Sequence, residues 1–167
     1  MFVFQKFAKR SAMNSFFKQL STIFYALAAG QLMFCAVAVF LRKQGTAAFD
    51  EASIENSTLT MVTPFLALAA FTAAWFVHKM RSAQGMGRKN LSEKTMHYRT
   101  TVLLRSAMIE GANIILLVAY LLSGRPIHLA WFVAGMLLFF YFRPSPANFV
   151  RDYQLSFDEA TQLTKDH

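Results

Sequence analysis

Thr101-Val-Leu-Leu-Arg-Ser-Ala-Met-Ile-Glu-Gly-Ala-Asn-Ile-Ile-Leu-Leu-Val-Ala-Tyr-Leu-Leu122 decides the fold class of this chain. The run is apolar over a length that crosses about 30 Å of hydrocarbon as a helix. Glu110 falls near its middle. A carboxyl group at that depth is costly unless it is protonated, paired or facing water, so Glu110 is the first candidate for a functional residue. Three further apolar blocks lie at about 22–41, 60–77 and 127–142, with Thr101–Leu122 as the third span in chain order. All four are expected to be helices, because a helix satisfies its own backbone hydrogen bonds in lipid. The alternating ten-residue segments of a membrane β-barrel do not occur.

Composition agrees. Of 167 residues, 55% are hydrophobic and only 16% charged, with 18 Phe, which is too apolar for an ordinary soluble domain. The formal charge of +8 comes from residues flanking the apolar blocks, with no aromatic-interleaved groove, so nucleic acid is not an expected partner. The lone Cys35 lies inside the first block, reads as a small buried apolar residue, and rules out an intramolecular disulfide.

Charge asymmetry sets the expected topology. Lys6, Lys9, Arg10 and Lys18 precede the first span without an acid. Lys79, Arg81, Arg88, Lys89, Lys94 and Arg99 face Glu93 alone between the second and third. Between the first and second, Asp50, Glu51 and Glu55 outweigh Arg42 and Lys43. Positive loops stay inside, so both termini are expected in the cytoplasm. The first span reads as a retained signal anchor.

The chain divides into an interfacial amphipathic segment (1–20), a four-helix membrane domain (21–143) and a cytoplasmic tail (144–167). In the first, Ala12, Met13, Phe16, Phe17 and Leu20 share one helical face and predict a short helix in the membrane surface that then turns into the first span. In the tail, Arg143-Pro-Ser-Pro146 predicts an extended exit. Ser156-Phe-Asp-Glu159 is a capping-box pattern that opens a short helix to about Leu163.

Spans one and three are alike at a shift of 81 residues: Ala26 and Gly30 match Ala107 and Gly111, Val37-Ala38 matches Val118-Ala119, and Leu41 matches Leu122. Two hairpins in parallel orientation would follow. The small-x-x-x-small pairs Ala26/Gly30 and Ala107/Gly111 predict a close crossing of spans one and three. Trp131, Phe132, Phe139, Phe140, Tyr141 and Phe142 of span four are expected to be lipid-facing or interfacial anchors.

Ser106, Glu110, Asn113 and Tyr120 form a polar stripe at helical spacing. Arg105 stands five residues from Glu110, and Gln31, next to Gly30, comes within reach of Glu110 if the glycines meet. The candidate intramembrane site is therefore Glu110, Asn113, Ser106, Arg105 and Gln31. The carboxyl has three readings: a hydrogen-bonded packing residue, a proton or cation site, or a group completed by another protein's span.

No catalytic motif, phosphate loop or dinucleotide fingerprint occurs. His78 and His97 sit at the ends of spans two and three, where facing imidazoles can ligate haem, but their lysine-rich surroundings read as solvated interface. His128 lies at the other side. No metal and no cofactor is expected, and the basic 78–100 segment, with Arg81, Arg88 and Lys89, is expected to attract anionic headgroups.

Residues 107–119 (Ala-Met-Ile-Glu-Gly-Ala-Asn-Ile, then Leu-Leu-Val-Ala) resemble the carboxylate helix of rotary ATPase proteolipid subunits. Glu110-Gly111, Arg143-Pro144 and Leu155-Ser-x-x-Glu159 together resemble small uncharacterised four-span inner-membrane proteins of Bacteroidetes type. The first likeness implies carboxylate chemistry in the membrane; the second implies no known activity. The expectation is an all-α, non-enzymatic membrane protein, an accessory or structural subunit packing with other membrane proteins or with itself. The competing expectation is proton or cation translocation using Glu110.

Overall fold

A computed structural model describes residues 2–45, 58–88, 90–157, 159 and 161, with backbone alone for 2–14 and 58–60. It contains α1 (Phe2–Lys43), α2 (Thr58–Met86), α3 (Leu91–Ser123), α4 (Pro126–Tyr141) and α5 (Pro146–Tyr153). No strand occurs among the described residues. Ser15–Lys43, Met61–Met86 and Leu91–Ser123 are each long and apolar enough to cross a membrane; α4 and α5, bent by 80°, make a fourth span if taken as one. The acidic loop expected outside the membrane falls on 46–57, outside the described residues.

The helices overrun their apolar blocks. No Gly or Pro interrupts the chain before Gly30, and a helix already nucleated propagates cheaply. So α1 runs unbroken where a turn was expected near residue 20. The amphipathic face expected in the membrane surface instead grips protein: Phe17 and Leu20 are buried with Leu91, Tyr98, Val102, Phe149 and Tyr153. Ala12 and Met13 have no described side chains. Likewise α2 continues to Met86 and α3 begins at Leu91, so little of the long basic loop is left between the two helices.

α3 is the central helix. It packs most extensively on α2, then on α4, then on α1, whereas α1 and α2 hardly touch. The two halves are therefore not packed alike, despite their sequence likeness. The main core joins Phe24 and Ala28 of α1, Ala67, Phe71 and Ala74 of α2, Ile109, Ala112, Leu116 and Leu117 of α3, and Phe132, Met136, Phe139 and Phe142 of the α4 segment. Phe139 stacks on Phe24 at 4.3 Å between centroids. Span four thus turns Phe132, Phe139 and Phe142 inward, leaving Phe140 and Tyr141 exposed; the expectation of lipid-facing aromatics holds for only part of the set.

Gly124 ends α3 in the left-handed region (φ 67°), its N–H donating to the Tyr120 carbonyl at 2.8 Å, a conformation that favours glycine. The exit after span four is non-helical over 143–145, with Ser145 extended (φ −150°, ψ 154°), and turns helical again at Pro146. Ser145 caps α5, its Oγ accepting from the Asn148 N–H at 3.1 Å, and Pro146 takes the first helical position, where its missing N–H costs nothing. The capping box forms: the Ser156 N–H donates to Glu159 Oε2 at 3.0 Å, and the Glu159 N–H to Ser156 Oγ at 3.3 Å.

Candidate functional site

Four of the five intramembrane polar residues picked from the sequence are buried: Gln31, Arg105, Ser106 and Asn113. They do not form one cluster. Asn113, on the inward face of α3, donates through Nδ2 to Gln31 Oε1 at 2.7 Å. Gln31 Nε2 in turn donates to the Leu27 carbonyl at 3.4 Å. That second bond fixes the orientation of the Gln31 amide, and the Gln31 oxygen then fixes that of Asn113. The pair ties α1 to α3 in the middle of the bundle. On its other side Asn113 meets Gly135 of α4, where an added Cβ would lie within hard overlap of Oδ1.

The expected crossing at the small residues does not form. Ala26, Gly30 and Ala107 are exposed and Gly111 is half-exposed. A Cβ at Gly30 or Gly111 would meet nothing within 4 Å. Ala107 and Gly111 instead line an apolar groove with Leu66, Ala67 and Ala70 of α2. The hydrogen bond between Gln31 and Asn113, not backbone proximity, makes the α1–α3 contact at this level. Close backbone approach is used at Gly135 and at Gly85, where a Cβ would collide with the Tyr153 ring.

Arg105 is 1% exposed and belongs to a different site. Its Nη1 donates to His78 Nδ1 at 2.7 Å and its Nη2 to the Phe142 carbonyl at 2.6 Å. The guanidinium carbon stands 4.8 Å from the Phe142 ring centroid. A guanidinium only donates, so His78 Nδ1 carries no proton and the neutral ring bears it on Nε2. That nitrogen sits 3.6 Å from Asp152 Oδ2 of α5. One buried cation therefore joins α2, α3, the end of α4 and, through a neutral imidazole, a carboxylate of α5. Both His78 nitrogens face protein groups, which leaves none for a haem iron. His97 is tied separately, its Nδ1 2.8 Å from the Tyr153 hydroxyl. Neither His78 nor Asp152 was placed in a site by the sequence. The signal available was weak: a histidine directly after an apolar block, facing a tail acid more than seventy residues away.

Glu110 is a carboxyl that the described bundle leaves without a partner. Seen down the α3 axis it lies between buried Ser106 and Asn113 on one side and exposed Ala107 and Ile114 on the other. It is half-buried, and among the described residues it has no hydrogen bond or ion pair. Gln31, expected as its partner, is taken by Asn113, and Arg105 by His78. Neighbouring helices screen this carboxyl only in part. No family model, curated protein or solved structure matches the chain.

Proposed function

We propose that this chain is a non-enzymatic integral membrane subunit, lodged in a bacterial inner membrane with both termini in the cytoplasm, that assembles through the α3 face bearing Glu110. The partner is a helix of another membrane protein or of a second copy. One observation carries the reading: a half-exposed carboxyl near the middle of an apolar helix with no partner among the described residues of its own chain. Left against lipid, such a group costs about 3 kcal/mol. A donor on a neighbouring span removes that cost and makes the contact specific, because an apolar helix offers nothing comparable. The small residues Ala107 and Gly111 beside it allow a second helix to approach closely.

Purification from native membranes in mild detergent, followed by mass spectrometry, tests the reading. Wild type is expected to carry a stoichiometric partner or a second copy. Glu110→Gln keeps a hydrogen-bonding amide and should retain that partner; Glu110→Leu should lose it while the chain stays folded. A monodisperse monomer from wild type sinks the proposal. Proton or cation translocation has less in its favour, since no described hydrogen bond links Glu110 to the Asn113–Gln31 pair. Proton flux in proteoliposomes that disappears in Glu110→Gln would turn the argument towards it.

A further inference from the structure

We propose that the end of the bundle bearing α5 holds a binding site for a phosphate group, built from Arg81, Arg88 and His97. Arg81 leaves the apolar part of α2 one turn beyond Val77, and His97 lies one turn before Thr101, where the apolar part of α3 starts. Both therefore sit at one level, at the boundary of the hydrocarbon, where lipid headgroups begin.

Arg81 is held in place. It is half-buried, and its Nε donates to Thr101 Oγ1 at 3.1 Å. Thr101 Oγ1 is itself fixed, donating to the His97 carbonyl at 2.9 Å. This contact uses the inner edge of the guanidinium and leaves its terminal nitrogens for another acceptor. On His97, the Tyr153 hydroxyl occupies Nδ1; with that hydroxyl as donor, Nε2–H is left as an outward donor. Arg88 is exposed just past the end of α2; burial, and then the positive charges of Arg81 and Arg88, push the His97 ring below the ordinary histidine value.

No carboxylate among the described residues answers these cations. Glu93 accepts from Asn90. Asp152 takes Arg151 and faces His78. Glu159 takes Lys94 and Ser156. Two guanidinium groups and an imidazole, one of the three pre-set by a threonine, thus have no carboxylate partner among the described residues. Guanidinium forks match the oxygens of a phosphate better than any other common biological anion except carboxylate. The level of the site favours a phospholipid headgroup, and a dissolved phosphate offers the same chemistry.

The full chain in detergent can be titrated with phosphatidylglycerol, with phosphatidylcholine and with inorganic phosphate, bound lipid being counted by native mass spectrometry and phosphate by calorimetry. Phosphatidylglycerol is expected to bind in preference to phosphatidylcholine. Arg81→Gln and Arg88→Gln should each weaken it about tenfold, the usual loss for one charge-assisted bond. Thr101→Val keeps every charge but frees Arg81, and should still weaken binding several-fold. Arg99→Gln, at an exposed position of α3, should change nothing. Inorganic phosphate binding with the same variant pattern but without lipid binding keeps the site and makes its ligand a dissolved one. Absence of both, or an equal loss in Arg99→Gln, or no loss in Arg81→Gln and Arg88→Gln, overturns the proposal. Arg88 lies outside the helices, so Arg88→Gln repeats the test should Arg81→Gln fail to fold.

Discussion

Arg105 and Glu110 lie five residues apart on the same helix, yet the structure gives them opposite circumstances. Five residues turn a helix through about 140°, so Arg105 faces α2 and α4 while Glu110 stands at the edge of the buried face. Each polar residue of this span was visible in the sequence as polar. Its partner was not, because helical spacing relates positions within one helix and says nothing about the register between helices. Removing Arg105 should show how much rests on it. Arg105→Ala leaves His78 Nδ1 and the Phe142 carbonyl without their shared donor, and the expected loss is about 3 kcal/mol, read as a shift in unfolding equilibrium in mixed micelles. A loss within experimental error would mean that the hub is incidental.

Glycines carry the same lesson. Gly30 and Gly111 stood out because they recur at equivalent places, but recurrence does not show which face a residue occupies. Gly135 drew no notice, and there the Asn113 amide lies hard against the backbone of α4. Gly135→Ala should therefore overpack the centre of the bundle and cost about 1–3 kcal/mol. Gly30→Ala, with open space around it, should be neutral or slightly stabilising. The same unfolding assay checks both, and the reverse ranking would contradict the packing described.

The elements themselves were largely legible, because twenty-residue apolar blocks in a chain this hydrophobic leave little choice but helices. Their ends were not. Hydropathy marks where lipid stops, whereas the backbone continues helical until a glycine or a cap stops it, as at Gly87 and Asn90. α5 was missed for the opposite reason. Two prolines read as a break, although Ser145-Pro146 is also a cap followed by a favoured first helical residue. Beyond α5 the tail is pinned by Glu159, whose carboxylate receives Lys94 Nζ at 2.9 Å. Burial pushes that carboxyl up, but the bonds from Lys94 and Ser156 outweigh it and hold it below the ordinary carboxylate value. A folded value below the unfolded one means that the link stabilises the tail at neutral pH and is lost as pH falls through the folded value. Hydrogen exchange of amides at 153–159 should therefore quicken under acid conditions. Lys94→Gln should already exchange quickly at neutral pH and respond less to acid; an unchanged profile would show that the tail is held by other contacts.

At the scale of the molecule, α3 organises the bundle: it touches α2, α4 and α1, anchors the Gln31 and His78 contacts, and presents Glu110 at its margin. Such a bundle has an apolar core joined by two separate polar fastenings, Gln31–Asn113 in the middle and Arg105–His78–Asp152 at the end that α5 covers. In lipid, apolar burial between helices gives little net drive, so fastenings of this kind decide which helices pair. Each keeps one buried atom without a partner among the described residues, Asn113 Oδ1 in the first and Arg105 Nε in the second, yet each ties helices of this chain together. Glu110 ties nothing among the described residues, and the proposed assembly follows from that. A photo-reactive residue at Ala107 or Ile114, the exposed positions flanking Glu110, irradiated in native membranes, tests it most directly. The account predicts a discrete crosslink to one membrane protein or to a second copy, from both positions, that disappears in Glu110→Leu. Labelling of lipid alone from both positions would contradict it.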